Sequence, residues 1–200
     1  MTSFQELTGR LSTLTELLEG SGVTTDATCA TDALSAWKDS RQFIATAITR
    51  PGSVLDYGCA NGFLLRSLLE WTPHVLVPYG IDIDPQRLGA ARDLFGGGDA
   101  RFATPDNVES LDVPDGFDYV YWAIGDNVEF TDIQNLRWLQ SIDRLCAATG
   151  RFIVGFYDTP DCNSRRLSSL ERLGVHFTDW VRNPRGPEMI AWTDKAERTI

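Results

Sequence analysis

The chain has 200 residues, 42% of them hydrophobic and 23% charged, which is enough for one full core, short for two, and too apolar for disorder. Its formal net charge of −10 repels phosphate backbones and anionic membrane surfaces, so nucleic-acid and membrane partners are disfavoured. Cys29, Cys59, Cys146 and Cys162 lack the C-x-x-C spacing of a zinc site and lie far in sequence from His74 and His176, while the polar start and the lack of any run of about 20 apolar residues point to a cytoplasmic protein with reduced thiols and no bound metal.

Phe4, Leu7, Leu11, Leu14 and Leu18 recur at helical spacing up to Gly20, and Leu34, Trp37, Arg41, Ile44 and Ile48 repeat that spacing up to Arg50-Pro51-Gly52. Two amphipathic helices therefore precede everything else, and residues 1–50 are expected to form a helical lid or extension to a single folded unit at 51–200. From Ser53 the chain alternates apolar runs with helical stretches: SVLDY, a helix at 63–71, LVPYGID, a helix at 85–95, ARFAT, FDYVYWAI, a helix at 132–148, RFIVGFY, a helix at 163–173, VHFTDWV and PEMIAWT. Such alternation builds a doubly wound, Rossmann-like α/β sheet with helices on both faces. Gly150 and Gly174 sit where helix ends favour positive φ. The linker NPRGP is too short for a crossover, so the last two of the seven strands should form an antiparallel hairpin on a mostly parallel sheet. Arg165, Arg166 and Arg172 are the densest basic group, read as a solvated helix face rather than a nucleic-acid patch.

Ligands of an open parallel sheet bind beyond the carboxyl ends of its strands. There stands VLDYGCANG, residues 54–62, with Gly58 and Gly62 allowing a tight turn, close backbone approach and access to the amides of the next helix. A dinucleotide fingerprint reads G-x-G-x-x-G, whereas these glycines are separated by three other residues. Asp56 at the loop's mouth would repel a pyrophosphate and would attract an ammonium or a sulfonium. Alternatively Asp56 caps the helix or braces loop amides. A second acid, Asp82, ends the second strand, where it can accept both hydroxyls of a ribose. Cys59, with no histidine paired to it, reads as a small residue packed in the turn.

With VLDYGCANG followed by YGIDIDPQRLGAAR, the chain resembles the class I S-adenosylmethionine-dependent methyltransferases over about three quarters of its length. The resemblance implies S-adenosylmethionine as cofactor, with Asp56, Gly58, Cys59 and Gly62 around its methionine end, Asp82 on the ribose and Ile83 against the adenine. It also implies an acid near Asp106, with Asn107 beside it, on the adenine amino group, although other acids in ATPDNVESLDVPDG fit with a shift of one or two positions. It implies direct displacement of the methyl onto a small-molecule acceptor. Asp126, Asn127 or Glu129 after the fourth strand would orient or deprotonate that acceptor. Trp122, Trp37 and Arg41 are candidates for the acceptor pocket, each with a packing role as its alternative. The absence of Asn/Asp-Pro-Pro-Tyr after the fourth strand argues against bases or glutamine as acceptors. Two other functions stay open: a cofactor-binding scaffold subunit that does not catalyse, and an NAD(P)-dependent oxidoreductase, which the glycine spacing disfavours.

Overall fold

A computed structural model of the chain describes residues 17–19, 32–96, 100–125, 128–131 and 133–197. Strands β1 (Gly52–Tyr57), β2 (Leu76–Ile81), β3 (Phe102–Ala103), β4 (Phe117–Ile124), β5 (Cys146–Phe156), β6 (Asp179–Arg182) and β7 (Met189–Asp194) form one sheet in the order β3-β2-β1-β4-β5-β7-β6. The first five run parallel, β7 pairs antiparallel with β5, and β6 and β7 form the expected hairpin. The order reverses between β1 and β4, which makes the crevice beyond β1 the switch point of the sheet.

Because side chains alternate along a strand, each central strand feeds two cores. Leu55, Val120 and Val154 face helices α4 (Ile133–Asp143) and α5 (Pro160–Arg172). Val54, Tyr119 and Ile153 face α2 (Phe63–Trp71), α3 (Pro85–Leu94) and a 3₁₀ turn at Gln42–Ala47. Ser53 and Arg50 tie the start of β1 to Asp118 on β4, through bonds of 2.9 Å each to its carboxylate.

The second N-terminal helix departs from its expected length. Helix α1 (Ala33–Arg41) starts on an Asp32 cap, which accepts from the Ser35 N–H at 3.0 Å. It then tightens into the 3₁₀ turn, whose Phe43, Ile44 and Ala47 lie buried against the sheet. The hydroxyls of Ser40 and Thr46 bond back to the carbonyls of Trp37 and Phe43, a competition that bends helices. The first N-terminal helix lies outside the described residues except for 17–19, of which Leu18 is fully buried against Trp37 and Phe63.

Two boundaries also differ. Strand β3 shrinks to two residues, and β2 accommodates Pro78 because that residue precedes the stretch where β3 pairs. Helix α4 ends at Asp143, so Gly150 terminates no helix. It lies inside β5 near an irregularity in the pairing with β4, where a Cβ would stand 2.7 Å from the Phe117 carbonyl. Gly174 does follow α5, with φ of +86°.

Candidate functional site

The loop after β1 is held from β2. The N–H groups of Gly58 and Cys59 donate to the Ile81 carbonyl at 2.7 and 2.9 Å. Gly58 and Gly62 adopt φ of +89° and +74°, a region that costs other residues energy. Space at Gly58 is open, whereas a Cβ at Gly62 would press on Phe95 and Ala91 of the α3 region at 3.2 and 3.3 Å. Gly62 therefore lets α2 and α3 approach, and Gly58 leaves the backbone bare toward the crevice.

The two carboxylates have different surroundings. Asp82 accepts the Ala60 N–H at 2.8 Å on one oxygen and the Asp84 N–H at 2.9 Å on the other. It braces the loop, and each oxygen keeps a second lone pair for a ligand hydroxyl. Asp84 caps α3 through the Gln86 N–H at 2.9 Å. Asp56 is 3% exposed and accepts no hydrogen bond from the described residues. Burial, and secondarily the Asp82 charge, push its pKa from 3.8 up to about 7. A buried anion without a partner is costly. Asp56 therefore does not brace the loop amides, a role that Asp82 takes.

Cys59 is buried with its sulfur 3.6 Å from the Ala60 carbonyl. Burial, then the Asp56 and Asp82 charges, push its thiol well above the ordinary range. It packs where Gly80 lacks a side chain, since a Cβ there would lie 2.5 Å from the sulfur. Ile83, next to Asp82, is 83% exposed, an apolar face offered beside a polar anchor. Asp106 opens a 3₁₀ turn at Pro105–Leu111 and is exposed. Asn107 donates its side-chain N–H to the Thr104 hydroxyl at 3.0 Å.

Asp126 and Asn127 lie outside the described residues. Glu129 is near Arg166, at 3.5 Å, and Arg165, at 4.0 Å. Arg166 is buried and also pairs with Asp158 at 3.5 Å, so these arginines do not form an exposed basic stripe; Arg166 links the segment after β4 to the turn after β5. Trp122 is buried and packs on Phe130 and Trp138, with ring centroids 6.4 and 4.9 Å away. Trp37 is buried against Phe63, and its indole N–H donates to the Ser67 hydroxyl at 2.9 Å.

Arg41 belongs to a cluster that sequence reasoning missed. Asp56 and Tyr121 are register partners on β1 and β4 and face the same side. The Tyr121 hydroxyl bonds to that of Tyr157, which follows β5. Arg41 lies over the Tyr157 ring, 4.1 Å from its centroid, and 3.5 Å from Glu188. Gly155 makes room, because a Cβ there would stand 2.5 Å from the Tyr121 hydroxyl. A glycine inside a β-strand, where it weakens the strand unless something approaches closely, was the available signal.

No family model and no curated protein matches this chain, but many solved structures share its fold. The PH0226 protein of Pyrococcus horikoshii is 16% identical with a TM-score of 0.61, covering 90% of this chain and 98% of its own. The N-methyltransferase NodS of Bradyrhizobium japonicum, in complex with S-adenosylhomocysteine, is 15% identical with a TM-score of 0.58, covering 92% and 99%. A ribosomal protein L11 methylase of Lactobacillus delbrueckii is 17% identical with a TM-score of 0.51, covering 77% and 76%. At these identities the likeness concerns the fold: the chain has the seven-stranded fold of the class I S-adenosylmethionine-dependent methyltransferases.

Proposed function

We propose that the protein is a methyltransferase that binds S-adenosylmethionine and passes its methyl by direct displacement to a small-molecule acceptor. The observation that carries this reading is Asp56, a buried carboxylate with no hydrogen-bond partner among the described residues, standing beside a glycine loop with open backbone. Its position and raised pKa suit an ammonium. Around it the other parts of the ligand find matching chemistry. Asp82 has lone pairs left for the ribose hydroxyls, exposed Ile83 offers a surface for the adenine, and Asp106 and Asn107 would reach its edge.

When bound, the cofactor supplies an electrophilic methyl on a sulfonium, so much of the catalysis can come from alignment. The chain's residues anchor the ligand at both ends, and the segment after β4, from Asp126 to Glu129, would orient the acceptor and take its proton. Arg166 supports that segment through Glu129. Residues 1–50 would act as the lid of the domain at 51–200 and keep water from the reacting centre. Net charge −10 favours a small acceptor over a polyanion.

A thermal-melt screen tests the reading. At a hundredfold excess over Kd, S-adenosylmethionine or S-adenosylhomocysteine should stabilise the protein by about 2.7 kcal/mol, roughly 5–10 °C for a chain of this size. NAD and NADP should leave the melt unchanged. Stabilisation by NADP alone would overturn the proposal.

A further inference from the structure

We infer that the pocket between α1 and the β6–β7 hairpin is a further binding site, one that takes an amphipathic monoanion: a single anionic group on an apolar body. The pocket measures about 570 Å³, within the range of small-molecule sites. None of Arg41, Asp56, Asp82, Tyr121 and Tyr157 lines it, which sets it apart from the crevice proposed for the cofactor.

Its floor is apolar because of what packs beneath it. Ala45 of the 3₁₀ turn, Trp71 at the end of α2 and Val181 of β6 are half-buried against the same core and turn their remaining surface to the pocket, together with buried Phe43. Its walls are held without a ligand. Asn183, which is 6% exposed, donates its side-chain N–H groups to the Asp39 carbonyl at 2.9 Å and to the Glu188 carboxylate at 2.7 Å, and accepts the Arg185 N–H at 3.1 Å. Arg185 pairs with the Asp39 carboxylate. The hairpin tip is thereby fastened to α1, and a ligand does not have to order the pocket that receives it.

The rim carries the charge. Of its three cations, Arg185 has Asp39 as a partner. Lys38 is exposed and has no ion pair among the described residues. Arg182 donates to the Ser164 hydroxyl at 3.0 Å and lies over the Trp180 ring, 5.5 Å from its centroid, with no carboxylate paired to it among the described residues. Two uncompensated cations stand out in a chain with 28 acidic and 18 basic residues. Beside an apolar floor they match a ligand whose body is buried for affinity and whose anion fixes its orientation. A polyphosphate would leave the floor uncovered, and an uncharged apolar molecule would leave the cations unused. Alkyl and aryl carboxylates share the required chemistry.

Calorimetric titration of the whole chain with two acid–alcohol pairs, octanoate with 1-octanol and 2-naphthoate with 2-naphthol, tests the inference. At least one acid should bind with Kd below about 0.5 mM, and about fivefold or more tightly than its own alcohol. The tighter acid tells an alkyl ligand from an aryl one. Lys38→Glu combined with Arg182→Glu, both at exposed positions, should weaken that acid at least about tenfold, and salt at about 0.5 M should reproduce part of the loss. Val181→Glu, which places a charge on the floor, should weaken acid and alcohol alike. Absence of binding by either acid at about 5 mM, an alcohol that binds as tightly as its acid, or an acid indifferent to the two charge reversals would overturn the inference.

Discussion

Asp56→Asn should make the unliganded protein more stable while making it a poorer binder. In the unfolded chain this carboxyl loses its proton near pH 4, but in the folded protein burial and Asp82 hold the proton until about pH 7. The folded state therefore carries no penalty below pH 4, a growing penalty from pH 4 to 7 and the full penalty above. At about 1.4 kcal/mol per pKa unit, a displacement from 3.8 to about 7 sets the full penalty on the order of 4 kcal/mol. An amide at the same place needs hydrogen bonds of its own, which offsets part of the gain. A net stabilisation of roughly 2–4 kcal/mol at pH 8 remains, or about 5–15 °C in Tm for a chain of this size. Thermal unfolding of both proteins at pH 8 and pH 4.5 measures it, and the difference should fall to about 1 kcal/mol or less at the lower pH. A variant melting below the parent at pH 8 would refute the reasoning, because it would mean that Asp56 braces the loop and is not held unpaired for a ligand.

The same proton should couple to ligand binding: S-adenosylhomocysteine affinity should drop roughly 10- to 30-fold from pH 7.5 to 5.5 as Asp56 protonates, and Asp56→Asn should flatten the profile. Cys59, Tyr121 and Tyr157 nearby are pushed above their ordinary ranges and keep their protons over this interval, so a dependence that persists in the variant would show that Asp56 is not the group that titrates. Asp82→Ala removes two bonds to loop amides and should lower the Tm of the unliganded protein and weaken adenosine and S-adenosylhomocysteine together; an unchanged Tm would contradict its bracing role. Gly155→Ala drives a methyl to 2.5 Å from the Tyr121 hydroxyl and should cost about 1–3 kcal/mol in denaturant unfolding, with parent-like stability counting against the close approach.

The parallel sheet, its terminal hairpin and the position of the glycine loop were legible in the sequence because each rests on a local pattern: short apolar runs, a linker too short to cross over, and glycines at positive φ. Boundaries were less legible where tertiary pairing decides them. Cys146 to Thr149 carry no strand signature, yet β5 begins there because β4 offers Phe117 as a partner. β3 has only Gly80 and Ile81 to pair with and stops after two residues. The site divided along the same line. VLDYGCANG and Asp82 could be picked out by spacing, but the division of labour between Asp56 and Asp82 depends on which carboxylate the loop amides reach. Both acids stand at strand ends, and only the Ile81 carbonyl's grip on Gly58 and Cys59 brings Ala60 over Asp82. Tyr121, Tyr157, Arg41 and Glu188 come from four separate segments, and no sequence spacing links them. The sheet register and the missing side chain of Gly155 do. That the fold leaves Asp56 buried with no hydrogen-bond donor among the described residues, while satisfying Asp82, is energetically unfavourable, and a bound cation would offset that cost.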